Sequence, residues 1–194
     1  MNYFKELDNL PVYDLYEEFQ KMFNDGKLHW YKTPSGETIN DQICLNSMKG
    51  KENDIHYGRG SLRFEWDKSY YTEEGKLITP LREQKLKETD FTELCTQFKG
   101  TLFEEVYRAL TSQYNIGRIR IMNSKPKTCL TWHQDNTKRI HYPMKTQVGC
   151  LMVVENEVKH LEKNTWYLTE TKHTWHTAFN SSKEERLHLV ATTW

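Results

Sequence analysis

The segment LTWHQD, residues 130–135, contains the side chains of this sequence that are best suited to bind a metal ion. His133 and Asp135 are two residues apart, so their side chains leave the same face of a β-strand. Such a strand presents one imidazole nitrogen and one carboxylate oxygen to a shared point. This pair is two thirds of the 2-His-1-carboxylate triad, which holds Fe(II) and leaves neighbouring coordination positions open.

A second histidine has to come from another part of the chain. Residues 172–180, KHTWHTAFN, offer two candidates, His173 and His176. An H-x-D pattern alone is weak evidence, because polar residues alternate with apolar ones on many solvent-facing strands. Trp132 and Trp175 precede candidate ligands, and we expect both to pack in the core.

Arginine and histidine recur together in the strand-like segments that follow. Arg139 and His141 are two residues apart, and Arg186 and His188 repeat that spacing near the end of the chain. A guanidinium group presents a rigid planar fork that stays charged, which suits the binding of a carboxylate. The combination favours a metal site beside a pocket for a carboxylate-bearing molecule over an ordinary polar strand.

The segments that would position these groups alternate between apolar and polar residues from Gly117 onward. Ile119 and Ile121 alternate with Arg118 and Arg120, and alternation of period two predicts strands. The same pattern predicts further strands at residues 129–135, 139–143, 147–154, 165–169 and 186–192. Many short strands without crossover helices favour a closed or double-sheet β-architecture such as a jelly roll or cupin. We therefore predict a mainly β fold with flanking helices.

Helices and an irregular region are predicted before the strands. Aromatic and aliphatic residues recur at helical spacing after Pro11 and predict an amphipathic helix. Asp90 is expected to cap a helix that ends at Gly100, and Thr101 with Glu104 matches the capping-box pattern of another helix. Residues 26–80 contain interleaved aromatic residues and predict irregular structure with short strands: Trp30, Tyr57, Phe64, Trp66, Tyr70 and Tyr71.

Length and charge limit the number of domains and the kinds of partner. A chain of 194 residues has the size of one domain, and we expect a helical and irregular part at 1–116 and a metal-binding β-core at 117–194. Lys plus Arg equals Asp plus Glu at 27 each, so no overall field attracts nucleic acid or an anionic membrane. The four cysteines form no C-x-x-C pair and no signal-peptide pattern is present, so we expect a cytoplasmic setting.

Six short patterns follow one another in the last 78 residues. They are RIRIM at 118–122, HQD at 133–135, RIHYP at 139–143, WYL at 166–168, His176 with Asn180, and RLHLV at 186–190. Together they resemble the aspartyl/asparaginyl β-hydroxylase family of Fe(II)/2-oxoglutarate oxygenases. The resemblance implies a double-stranded β-helix core, which is a jelly roll of cupin-like form. Its implied iron ligands are His133, Asp135 and His176.

The resemblance also assigns roles around the iron. It implies that Arg186 binds the distal carboxylate of 2-oxoglutarate, that Arg139 and His141 assist near this co-substrate, and that O2 is consumed. His176 is preferred to His173 because Asn180 follows it by four residues, as the family pattern requires. The vertebrate aspartyl hydroxylase lacks the metal carboxylate that this sequence supplies, so the chain is more similar to the bacterial and viral branch.

The predicted function is that of a 2-oxoglutarate-dependent dioxygenase. Its expected substrate is an aspartyl or asparaginyl residue of a peptide, or a small amino-acid-like metabolite. One alternative is a cupin-type metalloprotein, either an isomerase or a hydrolase, because the same three ligands accept other divalent ions. A second alternative is a non-catalytic jelly-roll binding module. No H-E-x-x-H, P-loop, G-x-G-x-x-G or G-x-S-x-G pattern is present to support the common zincin, nucleotide or serine-hydrolase functions.

Overall fold

The computed structural model describes residues 2–60, 62, 70–78 and 86–194, and the aromatic positions Phe64 and Trp66 lie outside these ranges. Within them the chain forms helices α1 (Leu15–Asn24) and α2 (Leu102–Gln113), and short 3-10 turns at Glu88–Asp90 and Thr96–Phe98. The strands are β1 (Phe4–Leu7), β2 (Tyr31–Lys32), β3 (Thr38–Ile39), β4 (Gln42–Cys44), β5 (Asn46–Ser47), β6 (Tyr70–Tyr71), β7 (Leu77–Ile78), β8 (Glu93–Leu94), β9 (Ile116–Ser124), β10 (Thr128–Cys129), β11 (Lys138–Lys145), β12 (Cys150–Val154), β13 (Glu157–Lys159), β14 (Trp166–Thr169), β15 (His176–Asn180) and β16 (Arg186–Thr193).

Two antiparallel sheets form the jelly-roll core. The larger has six strands in the order β1-β14-β11-β16-β9-β4, and the smaller has four in the order β10-β15-β12-β13. Between them, Phe4 and Tyr167 of the larger sheet pack with Met152 and Val154 of the smaller sheet. The predicted mainly β class, with flanking helices and a jelly-roll core, is confirmed.

The two faces of the larger sheet carry different residues because side chains alternate along each strand. The outer face packs against both helices through apolar residues, among them Ile119, Ile121, Ile140, Tyr142 and Leu189. The inner face, toward the smaller sheet, carries a set of polar side chains: Arg118, Arg120, Arg139, His141, Arg186 and His188. Alternation along three strands therefore separates an apolar core from a polar interior.

Two of the predicted helices are confirmed. Helix α1 follows Pro11, and its buried residues Leu15, Phe19 and Met22 have the i, i+4, i+7 spacing of one helical face. Helix α2 follows Thr101 as predicted. The reciprocal capping box is absent at Thr101. Its hydroxyl donates to the Phe98 carbonyl at 2.6 Å, and the Glu104 carboxylate accepts from the N–H of Gly100 at 2.7 Å.

The helix predicted after Asp90 is wrong. The residues after Asp90 form strand β8 and the 3-10 turn at Thr96–Phe98 instead. Strand β8 pairs with β5, where Leu94 lies opposite Asn46, and the N–H of Cys95 donates to the Leu45 carbonyl at 2.9 Å. Pairing with this distant strand outweighs the local helical spacing of Phe91 and its neighbours.

The strand predicted at 129–135 is only partly confirmed. Strand β10 ends at Cys129, and the residues after it contact their neighbours through isolated bridges. The strand predicted at 147–154 begins at Cys150, because Gly149 has a φ of +95° and turns the chain before it. Strands β1, β13 and β15 are additional to those predicted. No helix in the described ranges is long and apolar enough to span a membrane.

Candidate metal centre

Three side chains that commonly bind metals converge at one end of the space between the sheets. His133, Asp135 and His176 each offer a ligand atom, and these atoms lie within 4.8 Å of one another. Asp135 Oδ2 lies 3.4 Å from His176 Nε2, and Asp135 Oδ1 lies 4.0 Å from His133 Nε2. Two imidazole nitrogens and one carboxylate are the donor set of the 2-His-1-carboxylate triad.

The backbone holds the two imidazoles in equivalent positions. The N–H of His133 donates to the His176 carbonyl at 3.1 Å, and the N–H of His176 donates to the His133 carbonyl at 2.9 Å. The tripeptide Thr-Trp-His occurs at both 131–133 and 174–176. In each copy the histidine Nδ1 lies near the carbonyl of the threonine two residues earlier, at 2.6 Å from Thr131 and 3.0 Å from Thr174. An Nδ1–H that donates to a carbonyl leaves the Nε2 lone pair available, so both rings present Nε2 as a ligand.

The two tryptophans of these repeats are exposed. Trp132 is 47% exposed and Trp175 is 45% exposed, so the expectation that both pack in the core is wrong. Alternation explains the difference, because each tryptophan directly precedes a histidine whose ring turns toward the interior.

The carboxylate of Asp135 is held in its ionised form. Arg139 Nη2 lies 3.0 Å from Asp135 Oδ2. Burial opposes ionisation, but the hydrogen bond with His176 and the charge of Arg139 outweigh it and lower the pKa of Asp135 to about 2. The group is therefore a carboxylate, the form that binds a metal, throughout the neutral range.

His173 lies outside this cluster. Its side chain is exposed, and its backbone has a φ of +57°, in the left-handed region. The backbone N–H of His173 donates to the Asp135 carbonyl at 2.9 Å, and its carbonyl accepts from Gln134 Nε2 at 3.1 Å. His173 thus lies in the turn that leads into His176, and its imidazole is not among the converging atoms.

The inner face of the larger sheet continues from this cluster to Arg186 and His188. Arg186 is 6% exposed, and its Nε and Nη2 lie 2.8 and 3.1 Å from the two ring nitrogens of His188. Burial, followed by the charge of Arg186, lowers the pKa of His188 well below its ordinary value. No carboxylate pairs with Arg186 in the described part of the chain.

His141 lies two residues after Arg139 on the inner face of β11. Its ring stands edge-on to that of His188 with the centroids 5.9 Å apart. Burial, with the charges of Arg186 and Arg139, lowers the pKa of His141 to about 3, so the ring is neutral. Both of its nitrogens are buried and have no hydrogen-bond partner among the residues that the structure describes.

These orphaned groups fit a bound polar co-substrate. A buried donor or acceptor without a partner costs about 1–3 kcal/mol, and an unpaired buried guanidinium costs more. A molecule with two carboxylates, one at the metal and one at Arg186, would give Arg186 an anionic partner. Sequence reasoning missed Thr131 and Thr174, whose carbonyls lie beside Nδ1 of the two ligand histidines. The repeated Thr-Trp-His tripeptide is a visible signal for them.

Comparisons with known proteins identify a family for this chain. A model of the family described as aspartyl/asparaginyl beta-hydroxylase matches residues 36–194. No curated protein matches the chain.

Several solved structures are similar in fold. AerE from Microcystis aeruginosa is 19% identical with a TM-score of 0.35, and the match covers 40% of this chain and 35% of that one. An oxidoreductase of the 2OG-Fe(II) oxygenase family from Burkholderia pseudomallei is 12% identical with a TM-score of 0.48, over 98% and 83% of the two chains. A prolyl hydroxylase from Trichoplax adhaerens, in complex with a peptide of hypoxia inducible factor, is 11% identical with a TM-score of 0.49, over 100% and 84%.

Proposed function

Because the chain belongs to the aspartyl/asparaginyl β-hydroxylase family, we propose that it is an Fe(II)- and 2-oxoglutarate-dependent dioxygenase that hydroxylates its substrate. The observation that carries the proposal is the convergence of His133, Asp135 and His176, whose ligand atoms lie within 4.8 Å of one another. Both imidazoles present Nε2 because each Nδ1 faces a backbone carbonyl. Three ligands on one side of an ion leave further positions for a co-substrate and O2.

Arg186 is the proposed partner of the distal carboxylate of 2-oxoglutarate. Its guanidinium is buried, contacts His188, and can form two parallel hydrogen bonds with a carboxylate. Arg139 and His141 assist, since Arg139 orients Asp135 and the neutral ring of His141 faces the interior near Arg186. When bound, iron and 2-oxoglutarate supply an oxidative decarboxylation that consumes O2, releases succinate and CO2, and adds one oxygen atom to a C–H bond of the substrate.

The proposed substrate is an aspartyl or asparaginyl residue of a peptide, or a small amino-acid-like metabolite. A cavity of about 180 Å³ lies beside strand β10, and Leu130, Ala178 and Asn123 are among its lining residues. Leu130 lies three residues before His133, so this cavity lies close in sequence to one of the ligand segments. We further propose that residues 1–194 form one oxygenase domain, because strands β1 and β4 of the N-terminal part complete the larger sheet.

The test is metal and co-substrate binding without oxygen. Fe(II) is added anaerobically to the protein and then titrated with 2-oxoglutarate, and the visible metal-to-ligand band is recorded. We expect the band in the wild type and its loss, together with loss of iron binding, in His133→Ala and His176→Ala. His173→Ala is the matched control, since it removes an exposed imidazole close in sequence.

The outcomes separate the alternatives. Iron binding without the 2-oxoglutarate band would favour a cupin-type metalloprotein that does not use this co-substrate. Failure to bind iron would favour a non-catalytic module. Loss of iron in His173→Ala with retention in His176→Ala would contradict the ligand assignment. Succinate release with aspartyl and asparaginyl peptides, and with free amino acids, then identifies the class of substrate.

A further inference from the structure

Four arginine residues share the inner face of the larger sheet, on strands β9, β11 and β16: Arg118, Arg120, Arg139 and Arg186. Two of them have carboxylate partners. Arg118 forms a two-pronged pair with Glu88 at 2.9 and 3.0 Å, and Arg139 pairs with Asp135 at 3.0 Å. Arg186 is assigned to 2-oxoglutarate under the proposed function. Arg120 is left without a role.

Arg120 is 6% exposed and has no carboxylate partner among the described residues. Its Nη1 donates to Gln42 Oε1 at 2.8 Å and to the Gly60 carbonyl at 3.1 Å. Its Nε is buried without any partner, and the described residues supply no acceptor to Nη2 either. The Nε–Nη2 edge is one of the edges with which a guanidinium grips a carboxylate through two parallel hydrogen bonds.

The contacts that Arg120 does make are redundant for the fold. Gln42 Oε1 also accepts from the N–H of Gly60 at 2.9 Å, and the Gly60 carbonyl also accepts from Arg118 Nη1 at 2.9 Å. Removing the Arg120 guanidinium would therefore leave neither acceptor unsatisfied. Burying a charge costs desolvation free energy, which a bound group of opposite charge can offset. A buried charge that the fold does not require is therefore expected at a ligand site.

Arg120 and Arg186 face different parts of the interior. The guanidinium of Arg186 lies against His188 on β16, whereas that of Arg120 contacts Gln42 on β4, two strands away across the sheet. This corresponds to about 10 Å at the usual strand spacing. Val190 lies opposite both His141 on β11 and Arg120 on β9, so Arg120 shares a row of the inner face with His141, which the proposed function assigns to the co-substrate. Burial, followed by the charges of Arg118 and Arg139, lowers the pKa of Arg120 to about 9.

We propose that Arg120 binds a carboxylate of the substrate, so that the enzyme acts on an anionic rather than a neutral molecule. The inference rests on the proposed function and narrows it. The interior described here has four guanidinium groups against two carboxylates, those of Glu88 and Asp135. A divalent metal and the dianion of 2-oxoglutarate cancel each other, so the loaded centre keeps an excess of positive charge that an anionic substrate would neutralise.

The carboxylate has two possible sources, and matched probes distinguish them. The first pair is acetyl-Ala-Asp-Ala-amide and acetyl-Ala-Asn-Ala-amide, which differ only in the side-chain acid. The second pair is L-alanine and L-alaninamide, which differ only in the α-carboxylate. Binding is measured by anaerobic calorimetry on protein loaded with Mn(II) and 2-oxoglutarate.

In the wild type we expect the acid of at least one pair to bind about 10- to 100-fold more tightly than its amide, the usual effect of a charge-assisted hydrogen bond. Arg120→Met removes this preference, and Arg120→Lys keeps part of it because the charge remains while the fork is lost. The pair that shows the preference identifies the source. Equal binding of acid and amide, or no binding of either acid, contradicts the proposal.

Two further measurements exclude other roles for Arg120. The melting temperature of ligand-free Arg120→Met should match or exceed that of the wild type, whereas Arg118→Met, which leaves Glu88 unpaired, should lower it by about 6 °C or more. Equal losses would mean that Arg120 is structural. The affinities for Mn(II) and 2-oxoglutarate should be unchanged in Arg120→Met, and weaker 2-oxoglutarate binding would assign Arg120 to the co-substrate instead. If the wild type binds neither, the proposed function fails, and the same probes on the metal-free protein still test Arg120.

Discussion

Replacing Arg186 with methionine tests the co-substrate pocket most directly. Methionine keeps the buried aliphatic volume of Arg186 and removes a guanidinium whose hydrogen-bond partner among the described residues is His188. If this group grips the distal carboxylate of 2-oxoglutarate with two charge-assisted hydrogen bonds of about 1.5–3 kcal/mol each, its loss costs at least about 3 kcal/mol. At 1.4 kcal/mol for each tenfold change, the dissociation constant should rise by about two orders of magnitude.

The assay is an anaerobic titration of 2-oxoglutarate into the Fe(II)-loaded protein, followed by the visible band. Iron affinity should be unchanged, because Arg186 contacts none of the three proposed ligands. Arg186→Lys should weaken binding less, about tenfold, since it keeps the charge and loses the planar fork. Lys138→Met is the control, because Lys138 is a partly exposed cation of β11 that pairs with Glu170 at 2.8 Å. Binding of 2-oxoglutarate within threefold of the wild type in Arg186→Met would refute the assignment.

Two further predictions concern the framework and the thiols. Asn46→Ala should lower the free energy of unfolding in urea by about 2–4 kcal/mol, because its buried amide donates to the Phe91 carbonyl at 2.6 Å and accepts from the Ile119 N–H at 2.7 Å. A loss below about 1 kcal/mol would show that these groups find other partners. At pH 8 a thiol reagent should modify Cys129 quickly and the other three cysteines slowly, because Cys129 is exposed, the others are buried, and burial raises the pKa of Cys44 to about 11. A raised pKa keeps the unreactive thiol form at this pH, so a second fast thiol would contradict the described burial.

The elements that could be predicted from the sequence are those whose pattern is local. Helices α1 and α2 bury one face each, and strands β9 and β16 place alternate residues on opposite faces, so spacing alone identifies them. The helix predicted after Asp90 failed because the competing interaction is with strand β5, which is distant in sequence. Pairing of this kind has no local signal.

The candidate site was also only partly predictable from the sequence. The spacing of His133 and Asp135 is visible in the sequence, but their convergence with His176 depends on antiparallel contact between segments far apart in the chain. The family resemblance, not the spacing, selected His176 over His173. The exposure of Trp132 also follows from that contact, because the ring of His133 must turn inward to reach its partners.

The larger sheet also explains why Arg120 could not be recognised as a candidate from its pattern. In the alternation of Ile119 and Ile121 with Arg118 and Arg120, both arginines have the pattern of solvent-facing residues on a half-buried strand. Residues of the N-terminal part cover these two side chains: Arg118 contacts Glu88, and Arg120 contacts Gln42 and the Gly60 carbonyl. The same alternation therefore produces two buried guanidinium groups. Arg118 has Glu88 to offset its charge and Arg120 has no such partner in the described ranges. A structural arginine is therefore distinguished from a ligand-binding one by whether the fold supplies a carboxylate partner for its buried charge. Such partners come from tertiary contacts, which local spacing does not encode.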